Sequence, residues 1–402
     1  MLLRNKSFVF MMIGEVVGGI GLWLAIIANL QFLQSLLSSD FLKSLVLMSG
    51  IFVSVLLLPS IGKIVDRYDK KKVLITANLI RCISPLLMFP ALMYQSIPWM
   101  ILSLILLQIS NATYFPAVRT TFSTLIARED LLAANTFHMN AITISRIAGT
   151  AIAGAMVSVM SLYTIYSLSL VVYLLLLGIF IFIHIPKIDA AVQKTKEKLK
   201  FTEVFTIIKQ DRSIFLGIIN SSVIALFLGG MNLFILSLSE IQHDPGLMGY
   251  LYAVEGTTIL VVGLFVRRVI GKANIILATS FLLCVIAIGQ YTMSFVDHRW
   301  TVLLGFGIFG SMVAFFFPMV TTIFQNRVPQ QTQGRFFAFK EIVDRILMQV
   351  SILATGASLD LFGTSTYLIM IAGLTLLTAL FTLSQTLRHK LDVRQYAARE
   401  QG

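Results

Sequence analysis

Long unbroken apolar runs, separated by short polar or charged breaks, repeat along almost the whole chain. About 20 apolar residues carry a helix across a bilayer, and each run is of that order. A membrane-spanning strand would need only about 10 residues and would alternate apolar with polar positions. These runs do not alternate, so the pattern predicts helices. The breaks divide the chain into twelve predicted spans, at 8–30, 42–61, 73–94, 98–117, 135–160, 163–185, 213–239, 247–266, 273–295, 299–324, 335–360 and 364–387. Only Gln95, Ser96 and Pro98 separate the third from the fourth. The longest polar stretch, Pro186 to Arg212, falls after the sixth span. It predicts a linker (186–212) joining two six-span halves, 1–185 and 213–387, with a tail over 388–402. Phe201 to Phe205 predicts a short surface helix inside the linker.

Composition agrees with this division. Hydrophobic residues make up 57% of the 402 and charged residues only 12%. Soluble domains carry about 25% charged residues, so a soluble fold is not expected. The expectation is an all-α integral membrane protein. A net charge of +12 raises the question of nucleic acid. The basic residues lie in short loops between spans, which argues for topology instead. With both termini cytoplasmic, 25 of the 31 Lys and Arg residues fall on the cytoplasmic side. Only Lys43 and Arg299 fall on the other, while Arg81, Arg146, Lys340 and Arg345 lie inside spans. An even number of spans obeys the positive-inside rule with that split, and one span more or fewer would scramble it. Arg4 and Lys6 precede an apolar run too long for the core of a cleaved leader, so it reads as a retained first span. Cys82 and Cys284 are single thiols inside apolar runs, which predicts neither a disulfide framework nor a metal site. No phosphate-cradling Walker segment is present, so ATP hydrolysis is not expected. The expectation is also of no enzymatic role and no cofactor.

The two halves repeat weakly. Phe115-Pro116 recurs as Phe317-Pro318 and Cys82 as Cys284, both at an offset of 202 residues. The charged run Gly62 to Lys72, between spans two and three, has a degraded copy at Gly263 to Lys272. A constant offset in equivalent places points to a duplicated six-span unit.

Gly62, Asp66, Arg67, Lys70 and Lys71 match the loop motif Gly-x-Leu-x-Asp-Arg-x-Gly-Arg-Arg of the major facilitator superfamily, which this chain resembles. Asp69 stands where a second Gly is usual; the left-handed turn that Gly would make is one that Asp also tolerates. Phe115-Pro116-Ala117, Leu131 to Asn135, and Val328-Pro329 with Gly334-Arg335-Phe336 resemble the twelve-span drug:proton antiporter branch that includes macrolide and siderophore exporters. Gly149-Thr150 departs from that branch, which often has Gly-Pro in span five. The resemblance implies twelve helices in two pseudo-symmetric halves. It also implies that Asp66 accepts hydrogen bonds from a helix N-terminus, a favourable place for an anion, and gates the conformational change. For Lys70, Lys71 and Lys72, a plain topological role is the stronger reading.

Ionisable residues inside a bilayer are expensive and mark candidate sites. Lys340, Glu341, Asp344 and Arg345 crowd span eleven, at spacings that predict the i,i+4 pairs Lys340–Asp344 and Glu341–Arg345. Arg345 lies about 15 Å deeper than Arg335 along the helix. Arg146 in span five is placed as Arg345 is when Asn135 is aligned with Gly334. Each of these charges has two readings, a coupling network or self-neutralising structural pairs, and Arg81 is a further partner candidate. Glu15 lies about 10 Å into span one, with no basic residue within a turn on its own helix. It is the first candidate proton carrier, ahead of Asp344, Glu341 and Glu255. His138 reads as a structural hydrogen-bonding residue. Gly14, Gly18, Gly19 and Gly21 read as packing positions, because small residues let helices approach closely in lipid.

By the resemblance, spans one, four, seven and ten line a central cavity. They carry Trp23, Asn29, Gln108, Asn111, Tyr114, Asn220, Asn232 and Phe316, a set rich in aromatic and amide groups and poor in fixed charge. Such a lining suits an amphipathic or lipophilic small molecule, although aromatics in spans more often pack. The expected function is proton-coupled efflux by a monomer in the cell membrane, with protons, lipid and a small-molecule substrate as partners. Two alternatives stay open: a uniporter or lysophospholipid flippase of the same fold, and a sensor or assembly protein that transports nothing.

Overall fold

The computed structural model describes residues 5–126, 131–185, 202–265, 274–329, 332–389 and 391. Among them there are twelve helices and no strand. The chain divides into two compact units, Met1–Thr195 with Asp244–Ala253, and Lys196–His243 with Val254–Gly402.

The first unit contains α1 (Lys6–Leu36), α2 (Asp40–Arg67), α3 (Lys70–Met93), α4 (Ile97–Leu125), α5 (Leu131–Val159) and α6 (Leu162–Phe182). Helix α1 packs on α5 and α6, and α4 on α2 and α3. The glycines of α1 explain the first of these contacts. A Cβ at Gly18 would lie 2.6 Å from Leu176 of α6, and one at Gly19 would lie 2.6 Å from the Ser145 Cβ of α5. In lipid, where no hydrophobic driving force pushes helices together, such close approach supplies the van der Waals contact that does.

The charged segment at 62–72 is mostly helix, not a hairpin loop. Helix α2 continues to Arg67 and α3 starts at Lys70, leaving only Tyr68 and Asp69 between them. Asp69 does not adopt the left-handed conformation. Its φ is −54° and its ψ 127°, and its carboxylate caps α3 by accepting the Lys72 amide at 3.1 Å. An Asp at an N-cap satisfies an otherwise orphaned amide, so it suits this junction better than the Gly it replaces. The thin break between spans three and four is real: Gln95 is left-handed, with φ 52°, and Pro98 stands in the first turn of α4.

The second unit contains α7 (Thr202–Gln210), α8 (Arg212–Ile241), most of α9 (Leu247–Gly263), α10 (Ile275–Met293), α11 (Arg299–Arg327) and α12 (Gln333–Arg388). Ten of the twelve helices are long and apolar enough to cross a membrane; α9, with 17 residues, is shorter. Helix α12 is two spans read as one 56-residue element, broken at Gly363 with φ 77° and ψ 165°. Only glycine adopts that conformation without steric cost. Its two arms are the predicted spans eleven and twelve, and with the shorter α9 in the place of the predicted eighth the count is twelve.

The surface helix predicted in the linker is α7. Val204 is buried beneath it, and the Phe205 ring meets Phe339 of α12 at 5.1 Å, edge to face. Glu203, half exposed, pairs with Arg335, about a third exposed, at the protein surface. An exposed ion pair contributes about 0–1 kcal/mol, so Glu203→Ala is expected to leave thermal stability almost unchanged. Val204→Asp, by contrast, is expected to melt the contact; differential scanning fluorimetry of the purified protein separates the two.

Candidate functional site

Four helices of the first unit bring polar groups to one buried point. Glu15 of α1 is 5% exposed. Tyr114 of α4 donates its hydroxyl to Glu15 Oε1 at 2.6 Å. From α5, His138 Nε2 stands 3.4 Å from Glu15 Oε2, within ion-pairing distance but without an aligned hydrogen bond. Arg81 of α3, 3% exposed, lays its guanidinium 4.6 Å over the Tyr114 ring and 5.7 Å from the Tyr173 ring. Its Nη2 donates to Asn111 Oδ1 at 2.8 Å, while its Nε has no partner among the described residues. Tyr114 is therefore a bridge: its edge binds the acid and its face binds the cation. A cavity of about 40 Å³ adjoins the cluster, bordered by Glu15, Trp23, Arg81, Tyr114, Phe115 and Ser145. That is room for one or two waters or a small polar group.

The phenol donates to the Glu15 carboxyl, while the Arg81 guanidinium meets the same ring from its face and donates to Asn111. Hydrogen bonds to charged groups are worth about 1.5–3 kcal/mol. Tyr114→Phe keeps the ring and removes the donor, so it is expected to lower unfolding free energy by about that amount. Thermal denaturation at neutral pH measures it; a change well under 1 kcal/mol would show that the bond contributes nothing.

The other predicted residues are distributed elsewhere. Asn29 is buried and accepts from the Tyr166 hydroxyl at 2.7 Å. Trp23 packs against Tyr252, with ring centroids 5.7 Å apart. Gln108 is half-buried, its stem facing Gly50 of α2. Arg146 is half-buried and engaged. Among the motif residues, Arg67 is exposed and Lys70 buried, with Lys71 between these extremes. The side chains of Gly62 and Asp66 lie outside the described residues.

In the second unit both predicted i,i+4 pairs form. Lys340 Nζ contacts both oxygens of Asp344, the longer at 2.6 Å, and Arg345 Nη2 donates to Glu341 at 2.8 Å. The first pair is partly buried and the second more than half exposed. Glu255 is 2% exposed and engaged, as is the half-buried Asn232. Asn220 is buried, and its Oδ1 has no partner among the described residues. Phe316 is fully buried against Phe317.

Reading His138 from the sequence misses its proximity to Glu15, and nothing in the sequence singles out Tyr173. Glu15, Tyr114 and His138 are on three different helices, so no spacing along the chain links them. The one usable signal is that each is a polar side chain within an apolar run.

Among the described residues no group of His, Cys, Asp and Glu has a metal-binding arrangement. The family model described as Major Facilitator Superfamily matches residues 11–343. Macrolide efflux protein A of Streptococcus pyogenes is 22% identical over 367 residues, covering 84% of this chain and 85% of that protein. The MFS-type transporter YfiS of Bacillus subtilis is 24% identical over 406 residues, covering 95% and 94%. Among solved structures, a mutant of the nucleoside transporter NupG superposes with a TM-score of 0.72 at 15% identity, covering 94% of this chain and 99% of that one. At that identity the superposition bears on the fold alone.

Proposed function

The chain belongs to the Major Facilitator Superfamily, and from that premise we propose that it exports an amphipathic small molecule in exchange for protons. It is a multi-pass membrane transporter, not an enzyme. Glu15 carries the coupling proton, and export proceeds by alternating access. The observation that supports this best is the buried Glu15 carboxyl group, held by Tyr114 and approached by His138 beside a small cavity. An ionisable side chain buried inside a span is costly to keep there and is a functional candidate by default. The macrolide efflux relatives support the direction of transport and a drug-like substrate class. Lys340, Glu341, Asp344 and Arg345 form the second candidate network, with Asp344 the next proton carrier.

A growth-inhibition panel tests the reading. An overexpressing strain is expected to resist one or more amphipathic drugs and to accumulate less of them. A protonophore is expected to abolish both effects. Export that persists when the proton gradient is collapsed would favour a uniporter or a lysophospholipid flippase. Absence of any movement in vesicles would favour a sensor or assembly protein.

A further inference from the structure

A second cavity, of about 720 Å³, lies wholly within the second unit. Val254 and Thr258 of α9, Ile288 of α10, and Leu304, Gly307 and Ser311 of α11 line it. It is a groove on the outside of the helices, because Ile288 and Leu304 are both more than half exposed.

The chemistry of the groove is hydrocarbon. Its two hydroxyls are spent on their own helices. Thr258 donates to the Val254 and Glu255 carbonyls at 2.9 and 2.8 Å, and Ser311 to the Gly307 carbonyl at 2.7 Å. A site for a drug-like solute normally has a few convergent polar groups to fix its orientation. Apart from the indole N–H of Trp300 at its mouth, none is offered here. A helix–helix contact in lipid would need a flat face of small residues. Here bulky Leu304, Ile288 and Trp300 stand around a floor at Gly307, so a second copy of the chain fits poorly.

The length of the groove identifies the occupant. It begins at Trp300, in the first turn of α11 and 81% exposed, and reaches Met312. Twelve helical residues rise about 18 Å. One leaflet of a bilayer contributes about 15 Å of hydrocarbon, half of the usual ~30 Å. Tryptophans prefer the headgroup level. The groove thus runs from the headgroup level through one leaflet, which is the path of a single acyl chain. We propose that it is a binding site for one acyl chain of a bilayer phospholipid, separate from the Glu15 cluster and independent of what the protein transports.

Gly307 supplies the test. A Cβ there would meet nothing nearer than Val254 at 3.6 Å, so a side chain can grow into the groove without disturbing the packing. The protein is reconstituted in liposomes containing phosphatidylcholine with a photoactivatable diazirine midway along one acyl chain. After irradiation the adducts are mapped by peptide mass spectrometry. Adducts on the groove residues are expected to exceed those on other lipid-facing positions, such as Leu175, Leu361 and Leu377, by several-fold. Gly307→Phe is expected to remove that excess and leave the other adducts unchanged; Gly307→Leu serves if the Phe variant fails to fold. An even spread of adducts, an excess that survives the filled groove, or cross-links joining two copies through these residues would overturn the proposal.

Discussion

A Glu15→Gln protein is expected to lose proton-driven accumulation while still exchanging substrate across the membrane. Gln preserves the shape of Glu and can still accept from the Tyr114 hydroxyl, so the 2.6 Å contact has a substitute. What it cannot do is titrate. At a pH difference of one unit, one proton supplies about 1.36 kcal/mol. That sustains a substrate gradient of about tenfold at one proton per substrate. In the Gln variant the gradient is expected to collapse while counterflow of labelled for unlabelled substrate continues. Retention of the full gradient would remove Glu15 from the role and direct attention to Asp344, whose Asn variant is the natural next test. A Glu15→Gln, Asp344→Asn protein with unaltered export would remove both. His138→Gln serves as a companion. If His138 only fills space, coupling survives; if it exchanges a proton with Glu15, coupling weakens.

The second large effect is expected in packing. Gly154 of α5 and Gly249 of α9 meet backbone to backbone within the first unit. A Cβ at Gly154 would lie 2.3 Å from the Gly249 Cα and 2.6 Å from its amide nitrogen. Backbone atoms on both sides cannot rotate away, so the helices themselves must separate. Overpacking of this kind costs about 1–3 kcal/mol where side chains can adjust, and more where they cannot. Gly154→Val is therefore expected to lower unfolding free energy by about 3 kcal/mol or more. Gly178→Ala is the matched control. No atom lies within 4 Å of the added methyl there, and alanine in a helix interior is favoured over glycine by about 0.5–1 kcal/mol. That variant is expected to be neutral or slightly more stable. Fluorescence-detected thermal unfolding in detergent measures both. Equal behaviour of the two variants would mean that the Gly154–Gly249 contact is looser than its geometry requires.

What is legible in the sequence is local. Span positions follow from apolar run length, because a helix in lipid satisfies its own backbone and needs little from its neighbours. The Lys340–Asp344 and Glu341–Arg345 pairs follow from helical periodicity alone. Even the thin break at Gln95 and Pro98 is readable, since both residues act on the backbone directly. The junction at 62–72 is misread because a dense charge run looks like a loop. Its first six residues continue α2, and Asp69 caps α3 rather than turning left-handed. The candidate site is legible only in pieces. Glu15 stands out as an acid without a basic neighbour on its helix, but its partners come from positions 99 residues away or more. Nothing in the order of residues shows that Tyr114 presents its hydroxyl to Glu15 and its face to Arg81.

Antiport requires that substrate and proton move in opposite directions through one protein. Proteoliposomes with a pH-sensitive dye trapped inside test this most directly. A radiolabelled drug to which the overexpressing strain is resistant is added outside, with no initial pH difference and with membrane potential clamped by potassium and valinomycin. Inward movement of the drug is expected to be matched by proton exit, so the lumen becomes alkaline at the rate of uptake, and Glu15→Gln abolishes the pH change. Uptake with no change in luminal pH would contradict the account.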